Sequence, residues 1–191
     1  MPKVLGSFLT VISIVAQISY FLAYFIYFFP IIFVIQYFSG SQVKSILASG
    51  DIRIIPGHIA ISHTALNSFP GIFYTIAMVV GTVLLGIGII KFLGAIIDMI
   101  SALDKKEYFT NENVLTFKKM FLSQWYLLGS TPFLAFGNQL LISYFGRQNY
   151  GLIANSWSDI FGNLATLSFF WVLYILFSRA TELKHENDLT V

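Results

Sequence analysis

Ala102 to Lys119 reads ALDKKEYFTNENVLTFKK, a polar island between two long apolar runs. Asp104, Glu107 and Glu112 lie there among Lys105, Lys106, Lys118 and Lys119. Ile97, Ile100 and Leu103 lead into it along one apolar face, with Asp98, Ser101 and Asp104 on the other, so the preceding helix is expected to outrun its apolar run. Lys105 and Lys106 suit a helix C-terminus by charge. Thr110 has the side chain and position of an N-cap, which puts the next helix start at Asn111. Phe109 and Val114 then take the two positions of a hydrophobic staple. Glu112 adds negative charge to the first turn, while Asn113 stands where a full capping box needs Glu or Gln. The island reads as a helix–turn–helix between two membrane spans.

Outward from the island, the composition sets the class. The chain has 191 residues, 57% hydrophobic and only 10% charged, with a mean hydropathy of +0.77. Globular domains carry about 25% charged residues. Four runs approach the roughly 20 apolar residues that a crossing helix needs: about 5–29, 72–97, 121–144 and 160–177. The expected fold is an all-α integral membrane protein. It is a single four-helix bundle with cytoplasmic helical extensions and a small extracytoplasmic loop or β-hairpin. The apolar start is read as an uncleaved first span, because it runs well past the length of a signal-peptide core.

Lysine and arginine set the orientation. Lys3, Lys91, Lys105, Lys106, Lys118, Lys119, Arg179 and Lys184 fall on one side, against Lys44, Arg53 and Arg147 on the other. This bias places both termini, the island and the tail 179–191 in the cytoplasm, with loops 39–70 and 146–159 outside. A net charge of +2 argues against direct nucleic-acid binding, and the absence of cysteine removes thiolate chemistry.

Two rows of polar residues run at helical spacing within the spans. Thr10, Ser13, Gln17, Tyr20, Tyr24 and Tyr27 form the first; Gln124, Leu128, Thr131, Ala135 and Asn138 form the second. Hydroxyls and amides find no partners among acyl chains, so both rows are expected to turn inward and face each other. They read as an interhelical hydrogen-bond stripe or, alternatively, as the lining of a small-molecule site. Small residues four apart, Ala77 with Gly81 and Thr82 with Gly86, mark close helix packing in the second span, with Gly88 and Gly94 following. Lys91 is expected to snorkel to the headgroups. Pro30 is expected to kink or end the first helix and Pro132 to kink the third. In the outer loop, isoleucine-rich flanks around Pro56-Gly57 predict a β-hairpin within 51–62. His58 and His63 there read as solvated loop histidines, and His185 as a solvent-facing tail residue. No metal site and no cofactor is expected.

Phe109-Thr110-Asn111-Glu112-Asn113 after the second span, and Glu186-Asn187-Asp188-Leu189-Thr190-Val191 at the end, resemble a family of small bacterial four-pass membrane proteins. That family is domain of unknown function twenty-nine seventy-five. Lys105-Lys106-Glu107 stands where the family pattern has a glycine before the Phe-Thr pair. The resemblance implies a bacterial plasma membrane, often a neighbouring helix-turn-helix regulator, and no enzyme activity. Because both motifs are cytoplasmic by topology, the tail is expected to dock on the island. Glu186, Asp188 or the Val191 carboxylate would approach the island lysines, with Leu183 and Leu189 packing.

Three functional classes follow in order. The first is a non-enzymatic signalling or sequestering protein that holds a cytoplasmic regulator. The second is a small-molecule or peptide transporter or immunity-type protein that uses the polar rows. The third, an intramembrane enzyme, lacks any HExxH motif, paired intramembrane aspartates or Ser-His arrangement. Expected partners are the lipid bilayer, the regulator and a second copy of the chain. The island reads equally as a partner surface and as structural mortar.

Overall fold

The computed structural model describes residues 3–48, 52–55, 67–105 and 109–189. Helix α1 (Lys3–Ala23) passes through a 3-10 turn (Tyr24–Tyr27) into α2 (Phe28–Phe38), followed by the short α3 (Gln42–Ala48) and strand β1 (Ile52–Ile54). Two long helices come next, α4 (Gly71–Asp104) and α5 (Asn111–Phe145). Strand β2 (Arg147–Asn149), a 3-10 turn (Gly151–Ile153) and α6 (Asp159–Leu189) complete the order. Three helical stretches are long and apolar enough to cross a membrane among the described residues: Leu9–Phe38, Gly71–Asp104 and Asp159–Asp188. Helix α5 is as long but too rich in polar residues to join them by composition.

The chain divides into two compact units. The first comprises residues 1–24, 86–127 and 163–191, and the second residues 25–85 and 128–162. In the first unit, Ala95, Phe117 and Met120 form a buried cluster, packed by Phe92, Ile96 and Met99 of α4 and by Phe170, Tyr174 and Phe177 of α6. Gly88 lets α5 come close, since a Cβ there would sit 2.6 Å from the Leu127 side chain. In the second unit Gly81 plays the same part, with a built Cβ 2.7 Å from Leu134. The small residues of α4 therefore do pack against a neighbouring backbone.

The two prolines sit differently in their helices. The first helix changes geometry at Tyr24–Tyr27, before Pro30, and α2 carries Pro30 in its first turn. A proline is tolerated there because the first-turn N–H groups have no intrahelical acceptor, and its ring crowds the carbonyl four residues back, at Ile26. Pro132 lies inside α5 without interrupting it.

The segments that follow α2 and α5 are tied together in the second unit. Gly146, at φ 59, turns the chain out of α5, a backbone region that glycine enters freely. Among the described residues, strand β1 has its partner outside its own loop. It pairs antiparallel with β2, in the register Ile52↔Asn149, Arg53↔Gln148 and Ile54↔Arg147. The second arm of the expected hairpin, with Pro56, Gly57, His58 and His63, lies outside the described residues. Arg147 Nη1 donates to the Leu47 carbonyl at 2.7 Å, fastening the end of α3 to the strand pair. Buried Gln42 donates to Thr75 Oγ1 at 2.7 Å, fastening the other end of α3 to α4.

Candidate interaction site

Helix α5 starts at Asn111, and Thr110 Oγ1 accepts from the Asn113 amide at 3.3 Å. Thr110 is thus the N-cap that its side chain dictates. Phe109, one residue earlier, stacks on Phe177 of α6 with ring centroids 6.0 Å apart. Phe117, two turns into α5, approaches the same ring at 4.0 Å. Phe177 is therefore held between the turn and the first part of α5, and it brings the end of α6 beside the island.

A cleft of about 280 Å³ opens at this meeting. Phe109, Thr110, Asn111 and Val114 form one wall; Ser178, Thr181, Glu182, Lys184, His185 and Asp188 form the other. Arg179 and Glu182 pair at 2.9 Å on the exposed face of α6. Both motifs, Phe109–Asn113 and the tail, contribute to one concave surface that carries the Phe109 ring and the charged side chains of Glu182, Lys184 and Asp188. The contact differs from the expected one in its chemistry. Leu183 is 65% exposed, so the apolar part of the docking comes from Phe177. Lys119 pairs with Asp98 of α4 at 2.8 Å. Asn113 is buried and Glu112 exposed on the first turn of α5. The Glu112 carbonyl accepts from Thr116. Glu186, Asn187 and Asp188 are exposed on the last turns of α6. Lys106, Val191 and the Leu189 side chain lie outside the described residues.

The two polar rows part company. On α1, Thr10, Gln17 and Tyr24 are exposed, while Ser13 and Tyr20 are half-buried. Their hydrogen bonds run along their own helix segment, Gln17 to Ser13 at 3.4 Å and Tyr20 to Tyr24 at 2.9 Å. The buried positions of this segment are instead Ala16, Ala23, Ile26 and Phe33. The row turns to α4 rather than to the α5 row: Thr10, Ser13 and Gln17 line a cleft with Ile97, Ile100, Ser101 and Asp104, and Tyr20 lies beside Gly94. On α5, Gln124, Thr131 and Asn138 are all buried. Asn138 joins no other helix. Its Nδ2 donates to the carbonyls of Ile153 and Asn155, and its Oδ1 accepts from the Asn149 amide. It is a clamp on the segment that follows α5. Lys91 is exposed and lies over the Tyr126 ring, 5.5 Å from its centroid.

Sequence reading missed Phe177, which ends the fourth apolar run and carries the docking. A signal existed nearby: Ser178, Thr181, His185 and Asp188 recur at 3-4-3 spacing, a polar stripe on one face of the tail. Gln42, Arg147 and Asn149 had no such local signature.

These features define a helical protein with three membrane-length apolar helices and a cleft where the island meets the tail. The chain belongs to the family described as "Protein of unknown function (DUF2975)", whose model matches residues 4–191. No curated protein and no solved structure matches the chain.

Proposed function

We propose that this protein is a non-enzymatic sensor of the bacterial plasma membrane whose island–tail cleft holds a soluble helix-turn-helix transcriptional regulator. The observation that carries this reading is the junction itself. Phe109 of the first resemblance-bearing segment stacks on Phe177 before the tail, and Asp188 of the closing segment lines one cleft with Phe109, Thr110 and Asn111. An aromatic ring beside polar and charged side chains of both signs suits the core and rim of a protein-binding patch.

Four crossings belong to the same reading. Helix α5, with 35 residues, extends about 52 Å at 1.5 Å per residue, ample for a span plus an aqueous extension. Its polar side chains at Ser123, Gln124, Ser130, Thr131 and Asn138 are buried, so they would not meet acyl chains. With α5 crossing, the lysine and arginine bias puts both termini, the island and the tail in the cytoplasm.

Co-purification from native membranes tests the function. A DNA-binding partner should be recovered with the full chain and lost with Phe109→Ala or with truncation after Lys184. Recovery undiminished by both changes overturns the reading. Uptake or toxin resistance that depends on the protein and ignores both changes would favour a transporter or immunity protein instead. Topology is tested separately in intact cells. An impermeant thiol reagent should label Ser68→Cys and spare Ser101→Cys; the reverse pattern inverts the orientation.

A further inference from the structure

Helix α4 carries one charged side chain well inside its apolar run, Lys91. It lies twenty residues beyond Gly71, a rise of about 30 Å along the helix. That is about the thickness of a bilayer's hydrocarbon core, so in a crossing α4 the ammonium reaches the level where lipid phosphates begin. Two ion pairs form among the described residues, Lys119–Asp98 and Arg179–Glu182, and Lys91 is in neither. Its ammonium lies over the Tyr126 ring, 5.5 Å from the centroid. A ring face attracts a cation but supplies no counter-charge. A cation at that depth with no acidic partner is costly, and such positions are functional by default.

Lys91 lines a cleft of about 450 Å³ in the first unit, between α1, α4 and α5. Gly94 and Asp98 continue the α4 wall on the same helix face, Tyr20 enters from α1 and Lys119 from α5. A Cβ built on Gly94 would lie 3.6 Å from the Tyr20 ring, so the ring rests against α4 at this point. The Tyr20 hydroxyl shares a hydrogen bond with Tyr24 at 2.9 Å, and when it accepts there its own proton is still available to donate. Asp98 lies two turns beyond Lys91, about 10 Å along the axis, and Lys119 neutralises it at 2.8 Å. With two lysines and one aspartate, the cleft carries one positive charge in excess, and that charge is Lys91.

We propose that this cleft binds an anionic phospholipid, its phosphate held by Lys91 and the Tyr20 hydroxyl and its first acyl carbons laid along Ile90 and Leu122. The charge balance selects the headgroup. A phosphodiester with an uncharged headgroup, as in phosphatidylglycerol, cancels the excess charge. The ammonium of phosphatidylethanolamine would add a further cation beside Lys119 and would find Asp98 already paired. Basic pockets between membrane helices at headgroup level take anionic lipids for the same reason. The proposal rests on the membrane reading of α4 and not on the regulator, so lipid retention measured with no regulator present lets the two fail separately.

The test places the full chain in phosphatidylcholine nanodiscs doped with equal mole fractions of phosphatidylglycerol and phosphatidylethanolamine. Lipids that stay on the released protein are counted by native mass spectrometry. Phosphatidylglycerol should be retained about fivefold over phosphatidylethanolamine, the order expected of one lysine–lipid charge pair. Lys91→Gln should erase the preference, Lys91→Arg should keep it and Tyr20→Phe should reduce it. Lys118→Gln, which removes an exposed charge outside the cleft, should leave it intact. Equal retention of the two lipids by the unaltered protein overturns the proposal. So does an equal loss from Lys118→Gln and Lys91→Gln, since that is the general attraction of a basic surface for anions. If Lys91→Gln does not fold, Gly94→Leu decides, because it puts a side chain into the cleft at a position with room for its Cβ. A preference that survives that change overturns the proposal. Excess glycerol phosphate should displace none of the retained lipid; displacement would make this a site for a soluble phosphate and overturn the lipid assignment.

Discussion

The polar row of α1 and the polar row of α5 have nearly the same spacing and opposite fates. Ser13, Gln17, Tyr20 and Tyr24 bond along their own helix segment and stay partly or largely exposed. Gln124, Thr131 and Asn138 are buried, and Asn138 reaches the loop 11 to 17 residues ahead of it. The difference teaches that periodicity specifies a face, while the neighbour that the face meets decides how deeply it is buried. The α1 row meets α4 across open clefts. On α5 the polar row shares its face with Leu134, Ala135 and Leu141, so it goes inside with them. Helix α5 is consequently polar within and α6 apolar without, with Leu167 the one buried large side chain of α6 among its described residues.

Four substitutions sharpen this contrast, measured as changes in unfolding free energy or thermal midpoint of the purified protein in detergent. Asn138→Leu should be the most damaging, because it strands two carbonyls and one amide, for about 3 kcal/mol or more. A loss below about 1 kcal/mol would mean that the clamp does not hold the loop. Gly88→Val comes next. The close approach to Leu127 leaves no room for a side chain, and overpacking of this kind costs about 1–3 kcal/mol. An unchanged midpoint would show that α4 and α5 can separate there freely. Thr110→Ala should cost about 1 kcal/mol by removing the cap at the start of α5, with Thr110→Asn close to neutral. Gln17→Leu should shift stability by no more than about 0.5 kcal/mol, as for a surface position. If it matched Asn138→Leu instead, the exposed row would have a partner outside the chain, and the contrast between the rows would dissolve.

What was legible in the sequence was what depends on near neighbours. The start of α5 at Asn111 follows from Thr110 and needs nothing beyond one turn of chain. The apolar helices follow from length and composition. Strand β1 was visible in Ile52-Arg53-Ile54, but its partner was not. Arg147-Gln148-Asn149 is neither β-branched nor alternating, and it is a strand only because Gly146 and Asn138 place it there. Docking of the tail could be anticipated from shared topology. The residue that performs it, Phe177, could not, since an aromatic at the end of an apolar run looks the same whether it meets lipid or Phe109. The cleft at Lys91 was hidden for a stronger reason: three separate helices build it.

The strand pair also has a consequence in time. Ile52 and Asn149 are joined across 97 intervening steps of the chain, counted from 52 to 149. At about 5–20 residues per second on the ribosome, β1 waits roughly 5–20 s for its partner to be made. During that interval Ile52–Ile54 is an open edge, with its backbone groups unpaired and available to another chain. Pairings so distant in sequence form slowly even after synthesis. The β1–β2 end of the molecule therefore matures late, and defects at Arg147 or Asn149 should surface first as lost yield rather than as an unstable finished protein.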